Sequence, residues 1–512
     1  MKKFYITTAI DYVNAKPHIG HAYEKIAADI LSRYHKIQNE NVYFLTGVDE
    51  HGVKVEKAAL AANLSPQEFC DNLAKSFQEA WNKLDIKYDK FIRTTSLEHK
   101  ASVQNIFLKL KAAGALYKSK YNGLYCEGCE DFVRERDLTD AKLCPNHLQE
   151  PKTIAEENYF FALSKYKAKI KTWLENNDSV LYPLSRKNEV INQLNDPELA
   201  DFSITRQRSS LNWGIAVPGE PEQIIYVWID ALSNYITAIG YDQNEENLHK
   251  WWPADIQLIG KDITKFHSIY WIAMLIALNL DLPKQIYAHG FLTIEGQKIS
   301  KSLGNIIDPV TLVDEFSATA VRFYLFSQIN FDQDGDFSRL SFINCINAYL
   351  ANNLGNLLNR TITMADRYAN SEIPQVSPID ITLKTIVEEN TVKYQNAMLN
   401  LQFNEAINAT FRIVDATNKY LNESKPWTLF KENKFNETKT VLYNCLMMLN
   451  EIAILMYPFT PKLSYDIFIQ LGYSDSQIVK ITNGQTHKLI SGTIINNNGP
   501  IFQRIEMAKE TV

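Results

Sequence analysis

Through the first 345 positions short apolar runs alternate with amphipathic stretches; past that point the short runs stop. Phe4-Tyr5-Ile6-Thr7-Thr8 has the composition of a buried strand, and 22–34 has the apolar spacing of an amphipathic helix. Val42-Tyr43-Phe44-Leu45, Ile224-Ile225-Tyr226-Val227 and Leu258-Ile259 are further strand-like runs. Residues 53–115 read as helices with short connections, Pro66-Gln67-Glu68 marking one helix start. This alternation predicts a doubly wound α/β layer around a parallel sheet. Texture changes over 116–220, which reads as an insertion into that layer. Beyond about 345, the stretches 352–368, 383–399, 404–420, 437–456 and 461–471 have helical periodicity and predict a bundle. Residues 500–506 read as a final strand or tether.

The first strand and first helix are joined by Lys16-Pro17-His18-Ile19-Gly20-His21-Ala22-Tyr23. Pro17 stands near the helix start, where its missing N–H costs nothing. Gly20 lets a planar ligand approach the backbone. His18 and His21 share a helix face, next to a first turn expected to offer unpaired N–H groups and a positive dipole end. The stretch suits a polyphosphate; a structural histidine pair is the other reading. Far downstream, Lys298-Ile299-Ser300-Lys301-Ser302 follows a strand-like run and the turn Glu295-Gly296-Gln297. Two lysines in a loop suit a pyrophosphate leaving group, or form an ordinary solvated loop. Asp49, Glu50 and His51 fall where a strand ends, the edge at which open parallel sheets bind ligands. A carboxylate there suits an ammonium group, or caps a helix.

At 512 residues the chain has room for two to four domains. A net charge of −6 argues against a generally basic nucleic-acid coat and leaves a local basic track open. No apolar run is read as a membrane span, and no signal segment is read at the start, so the cytoplasm is the expected compartment. Cys126-Glu127-Gly128-Cys129 and Cys144-Pro145-Asn146-His147 have the spacing of a closed tetrahedral zinc site with ligands Cys126, Cys129, Cys144 and His147. Four protein ligands leave no open position, which makes one structural zinc the expectation. Cys70, Cys345 and Cys445 lie in helix-like runs and read as buried small hydrophobes. In the helical part, Asn356 and Arg360 share a helix face. Trp427 follows Lys425-Pro426 at a helix break, where an indole can stack on a splayed base or belong to the core.

HIGH near the amino end and KISKS near residue 300, in this order and each after a strand, resemble the two signatures of class I aminoacyl-tRNA synthetases. Across essentially the whole chain the match is to the methionyl family of that class. It is carried also by Thr7-Thr8-Ala9-Ile10-Asp11-Tyr12-Val13-Asn14, Thr46-Gly47-Val48-Asp49-Glu50-His51-Gly52, Val227-Trp228-Ile229-Asp230-Ala231-Leu232, Gly260-Lys261-Asp262, Asn359-Arg360 and Lys425-Pro426-Trp427.

The resemblance implies a Rossmann-like catalytic domain in two halves, 1–115 and 221–290. It also implies a zinc-knuckle insertion at 116–220, a KISKS loop and stem-contact region at 291–345, and an anticodon-binding bundle with tether at 346–512. It implies ATP contacts from His18, Gly20, His21, Lys261, Asp262, Lys298 and Lys301, with His18, His21, Lys298 and Lys301 catalytic. A methionine pocket is implied from Ile10, Tyr12, Asp49, Trp228, Ala231, Leu232, Tyr235 and His289, and anticodon reading by Asn356, Arg360 and Trp427. The implied reaction is ATP-dependent ligation of L-methionine to tRNA(Met), initiator and elongator, through methionyl-adenylate, with magnesium accompanying ATP. A monomer is expected, because the chain ends near the bundle's tether. Ile299 departs from the family's commoner methionine without touching the charge chemistry. The rivals are another adenylate-forming enzyme of the superfamily, disfavoured by the short insertion and helical bundle, and a non-catalytic RNA-binding paralogue, disfavoured by intact signatures.

Overall fold

The computed structural model describes residues 2–126, 131–133, 135–145, 148–299, 304–375, 378–485 and 489–506. The chain opens with β1 (Lys3–Thr8), β2 (Asp11–Tyr12), α1 (Ile19–Ile37), β3 (Asn41–Asp49), α2 (Val53–Ala61), α3 (Pro66–Lys83), β4 (Lys90–Arg93) and α4 (Leu97–Ala112). Ser65 and Glu68 cap α3 reciprocally, the start marked by Pro66. β1 pairs in parallel with β3, Ile6 opposite Phe44, and on its other side with a later strand, Ile6 opposite Ile256. β1, β3 and that later strand are almost wholly buried, as continuous Val/Ile/Leu/Phe runs covered on both faces require. β4 pairs with β3 within the stretch expected to be helical. Its Lys90-Phe91-Ile92-Arg93 is too short and too charged to stand out from the flanking helices.

The next segment holds β5 (Leu116–Cys126), β6 (Asp131–Val133), β7 (Lys152–Phe161), α5 (Lys167–Glu175), β8 (Leu181–Tyr182), α6 (Leu184–Asn195), β9 (Phe202–Ser203), β10 (Thr205–Gln207), β11 (Ala216–Val217) and β12 (Glu220–Ile225). β5 and β7 form a long antiparallel ribbon from Leu116–Phe161 to Tyr125–Lys152, and β10, β12 and β11 form a small sheet. The segment is not a clean insertion: β8 joins the edge of the main parallel sheet. Two residues of strand leave no readable pattern, so only pairing reveals β8.

The layer resumes with α7 (Val227–Thr237), α8 (Glu245–Trp251), β13 (Ile256–Gly260), α9 (Ile272–Ala277) and β14 (Ile286–His289). The sheet order is β2-β3-β1-β13-β14-β8 with β4 on β3, and its pairings are parallel. The chain leaves β1 toward β3 on one side and later returns to β13 on the other. The switch point therefore lies at the carboxyl end of β1, where the HIGH turn begins. The helix after β13 begins with a π-helical stretch, Phe266–Trp271. Then come β15 (Leu292–Ile294), β16 (Gln297–Lys298), α10 (Pro309–Phe316), α11 (Ala318–Gln328) and β17 (Gly335–Phe337). The Asp308 carboxylate accepts from the Val310 N–H at 2.8 Å and caps α10.

The carboxy-terminal part is helical among the described residues: α12 (Arg339–Ile346), a π-helical Asn347–Gly355, α13 (Asn356–Tyr368), α14 (Ile381–Leu399), α15 (Phe403–Ser424), α16 (Pro426–Lys431), α17 (Phe435–Met456), α18 (Pro461–Gln470) and α19 (Asp475–Thr482). By length and composition α17 could cross a membrane, contrary to the sequence reading; 72% of its apolar window is buried inside the protein, as in a bundle core. Residues 500–506 form no strand; Asn347 exchanges hydrogen bonds with the Ile505 backbone and ties the tail down. One core runs from α1 into these helices. Within it Asp29 accepts from Arg33 at 2.8 Å and from Arg322 at 2.6 Å. Arg322 also donates to the carbonyls of Phe459 (2.7 Å) and Pro458 (2.9 Å), clamping the α17–α18 corner to α1.

Candidate active site

The HIGH turn is built as a helix cap. Nδ1 of His18 accepts the Gly20 N–H at 3.1 Å, and Nδ1 of His21 accepts the His18 N–H at 3.2 Å. A neutral imidazole with an accepting Nδ1 carries its proton on Nε2. Burial, then the nearby Lys25 ammonium, pushes His18 down to about 4; burial and the neighbouring His18 and Lys25 push His21 well down. Both rings are therefore neutral donors at pH 7, stacked 3.8 Å apart. The free amides expected in the first turn are already used: Ile19 N–H goes to the Ile307 carbonyl (3.0 Å), Gly20 to His18 Nδ1 and His21 to the His18 carbonyl (3.0 Å). What α1 offers a phosphate is its dipole and two Nε2–H groups.

Gly20 is constrained by the same cap. A Cβ there would lie 2.9 Å from Cε1 of His18 and 3.6 Å from Cδ1 of Ile299. The described ends of the KISKS loop thus meet the HIGH turn twice, through the Ile299 side chain and the Ile307 carbonyl. The Lys298 backbone lies in β16, paired to Thr293 of β15. Lys301 lies outside the described residues.

One turn past His21, the buried Lys25 ammonium reaches Asp11 (2.6 Å), Glu24 (3.1 Å) and the Ala9 carbonyl (3.0 Å). Burial pushes the Asp11 carboxyl up to about 7 against the pull of Lys25. Glu24 also meets Nε2 of His289 at 3.0 Å, whose Nδ1 faces the Gly290 carbonyl at 2.7 Å. Burial opposes ionisation of Glu24, but Lys25 and His289 together hold its carboxyl below the usual range. Glu24, Lys25 and Asp11 were missed by the sequence reading; for Glu24 and Lys25, charged residues inside a largely apolar helix were the available signal.

The implied methionine-pocket residues come from four elements. Ile10 and Tyr12 lie in and beside β2, and Tyr12 pairs with Asp49 at the end of β3. Trp228, Ala231, Leu232 and Tyr235 lie on α7, and His289 ends β14. The half-buried Trp228 ring stacks on Phe266 at 3.7 Å and 6°, and its buried Nε1 has no hydrogen-bond partner among the described residues. Tyr235 shares a 2.6 Å hydrogen bond with His267, on the π-helical stretch, whose imidazole burial pushes down to about 4. Lys261 and Asp262 follow β13; Lys261 reaches both Asp334 oxygens at 2.6 Å beside a cleft of about 360 Å³ lined by Arg186, His289 and Asp332, and Asp262 is exposed. Phe266, His267 and Asp334 were also missed, since nothing local in the sequence marks them.

The other two sites stand apart. Arg360 lies over the Trp427 ring at 5.7 Å and donates to Asn422 at 2.9 Å, and Asn356 is exposed one turn away on α13. Lys425 has φ 46°, so α15 breaks there and Trp427 starts a new helix, half exposed. Of the knuckle ligands, Cys126 ends β5 and the Cys144 N–H donates to the Gln149 carbonyl (2.9 Å); both are 1% exposed. Cys129 and His147 lie outside the described residues. Cys70, Cys345 and Cys445 are buried, as expected.

Comparison with known proteins bears on this geometry. A family model described as tRNA synthetases class I (M) matches residues 4–153 and 137–362, and one described as the anticodon binding domain of methionyl tRNA ligase matches 373–511. Methionine--tRNA ligase 1 of Bacillus cereus is 42% identical over 99% of this chain and 79% of that protein. Methionine--tRNA ligase of a Nostoc species is 41% identical over 99% and 98%. The Mycobacterium tuberculosis methionyl-tRNA synthetase solved with methionyl-adenylate superposes with a TM-score of 0.94 at 35% identity, covering 98% of this chain and 100% of that one.

Proposed function

We propose residue roles from one premise: the chain belongs to the methionyl-tRNA synthetases of class I. Its reaction is the ATP-dependent joining of L-methionine to tRNA through methionyl-adenylate. In the first step the methionine carboxylate oxygen attacks the α-phosphorus, and the bond to the β-phosphate oxygen breaks, releasing diphosphate. In the second, a ribose hydroxyl of the tRNA terminus takes the methionyl group, and AMP leaves. The substrates are the nucleophiles, so the protein's task is positioning and charge stabilisation.

The observation that carries the assignment of roles is the pair of neutral, Nε2-protonated imidazoles at the amino end of α1. They are two fixed donors for the phosphates, backed by the helix dipole. Lys298 and Lys301 hold the departing diphosphate, and Lys261 and Asp262 face the nucleoside. Asp49 holds the methionine ammonium, and Trp228, Ala231, Leu232, Tyr235, Ile10, Tyr12 and His289 surround the side chain. Aromatic edges suit a thioether. Magnesium bound with ATP would supply neutralisation of phosphate charge.

Asn356, Arg360 and Trp427 read the CAU anticodon of initiator and elongator tRNA(Met): the Arg360–Trp427 stack is preformed and half exposed, as a base-stacking platform needs. Two buried thiol-bearing residues, Cys126 and Cys144, fit the donor set of a structural zinc held by Cys126, Cys129, Cys144 and His147. A monomer in the cytoplasm completes the proposal, tested by light scattering and fractionation. The test of function is amino-acid-dependent ATP–diphosphate exchange without tRNA. Exchange dominated by methionine is expected; dominance by another amino acid would overturn the pocket.

A further inference from the structure

A buried ionic cluster joins α7 to the loop after β3 and to α4. Asp230 lies on α7, and its carboxylate is 1% exposed. One oxygen meets Nδ1 of His51 at 2.6 Å and the other meets Nε2 of His99 at 2.7 Å. Nδ1 of His99 is in turn 2.7 Å from the Thr237 hydroxyl, one helix end away on α7. Both imidazoles are themselves buried, at 2% and 1% exposure. A carboxylate only accepts, so His99 presents Nε2–H and His51 presents Nδ1–H to Asp230. Burial alone would keep this carboxyl protonated, yet the two imidazoles draw it down to about 2.

The cluster joins the two halves of the pocket. His51 is two residues past Asp49, in a loop locked by Trp213: its indole N–H donates to the Glu50 carbonyl at 2.5 Å, and its own carbonyl accepts from Gly52 at 3.2 Å. Asp230 is flanked on α7 by Trp228 and by Ala231 and Leu232. A helix turns about 100° per residue, so Asp230 projects away from the face shared by Trp228, Ala231 and Leu232. A buried ionic cluster replaced whole by well-packed apolar residues often keeps its stability, so burial of this one is weak evidence for a folding role alone.

We propose that the His51–Asp230–His99 cluster is a positioning device that fixes the span between Asp49 and the α7 side-chain pocket, and thereby sets the side-chain length the enzyme accepts. The inference rests on the reading of Asp49 as the ammonium partner and Trp228 as pocket wall. An apolar pocket alone distinguishes one methylene by roughly 10–200-fold, and reaches the upper end only if its depth is fixed. Asp230, His51 and His99 supply that fixity from behind the pocket.

The test is diphosphate exchange by the full chain with methionine, with ethionine (one methylene longer) and with varied ATP, in Asp230→Asn, His99→Gln and His99→Phe, with Trp228→Ala as control. Asp230→Asn is expected to raise the methionine KM about tenfold or more, move the ATP KM less than about twofold, and lower the methionine-to-ethionine preference at least about fivefold. Gln can place an N–H where Nε2 of His99 stood, so His99→Gln keeps the preference and His99→Phe loses it. Parallel rises in both KM values, an unchanged preference in folded Asp230→Asn, or identical behaviour of the two His99 variants would overturn the proposal. If Asp230→Asn does not fold, the His99 pair decides. If Trp228→Ala leaves the methionine KM unmoved, the pocket reading falls and takes this inference with it; if it raises that KM while the preference survives Asp230→Asn, only the positioning inference falls.

Discussion

The proposed roles give His18 two jobs that two substitutions separate. Its Nδ1 caps Gly20 at 3.1 Å, and its Nε2–H carries the proposed phosphate contact. In His18→Asn the amide oxygen stands where Nδ1 stood, so the cap survives while the outer donor is lost. In His18→Gln the longer amide carries an N–H to about the reach of Nε2, and the cap is lost. The first turn of α1 has no spare amide to take over, because Ile19, Gly20 and His21 are already bonded. Removing one preorganised donor to developing charge costs about 2.7–4 kcal/mol, or roughly 10²–10³ in rate. Losing an N-cap costs about 0.5–2 kcal/mol of local stability. Rapid-quench adenylation at saturating ATP and methionine should show His18→Asn slowed by the larger factor and His18→Gln by far less. Amide exchange at Gly20 should show the reverse, fast in Gln and near wild type in Asn. An Asn variant within about threefold of the wild-type rate would refute the donor role, since the turn's described amides are bonded and His21 already supplies its own Nε2–H.

Other outcomes follow from the same geometry. Arg322→Met leaves Asp29 buried with one cation fewer and frees the Phe459 and Pro458 carbonyls, so the melting temperature should fall by the equivalent of about 3–5 kcal/mol; an unchanged melt would discount the clamp. His18 and His267 held at about 4, with His21 also lowered, stay neutral in the fold while the unfolded chain binds protons below 6.5. Stability is then present above 6.5 and lost as pH falls toward 4, partly offset by Asp11, whose raised value of about 7 acts in the opposite sense. Urea midpoints should be lower at about pH 5 than at about pH 7, and the opposite order would contradict this balance. Lys301→Ala should slow adenylation by about 10² or more, a loss under about threefold excluding the diphosphate role. Protein purified without chelator should carry about one zinc, and less than about 0.1 equivalent would remove the knuckle.

The chemistry of this chain was written in consecutive residues wherever a site is built from a single turn. HIGH and Asn356 with Arg360 are local spacings, and a helix or its first turn delivers them to one face without outside help. The α/β alternation was legible for the same reason: long strands such as Asn41–Asp49 are buried on both faces and must be apolar throughout. What no stretch could reveal was pairing across distance. β8 and β4 belong to the sheet only because β14 and β3 leave edges for them. The amides of α1 look free in sequence and are consumed by Ile307 and by the histidines' own rings. Asp230 reads as one polar residue in an apolar helix until folding brings His51 and His99 to its two oxygens. Sequence determines which groups can bond; a buried charge takes its meaning from partners 179 and 131 residues away, and only tertiary packing selects them.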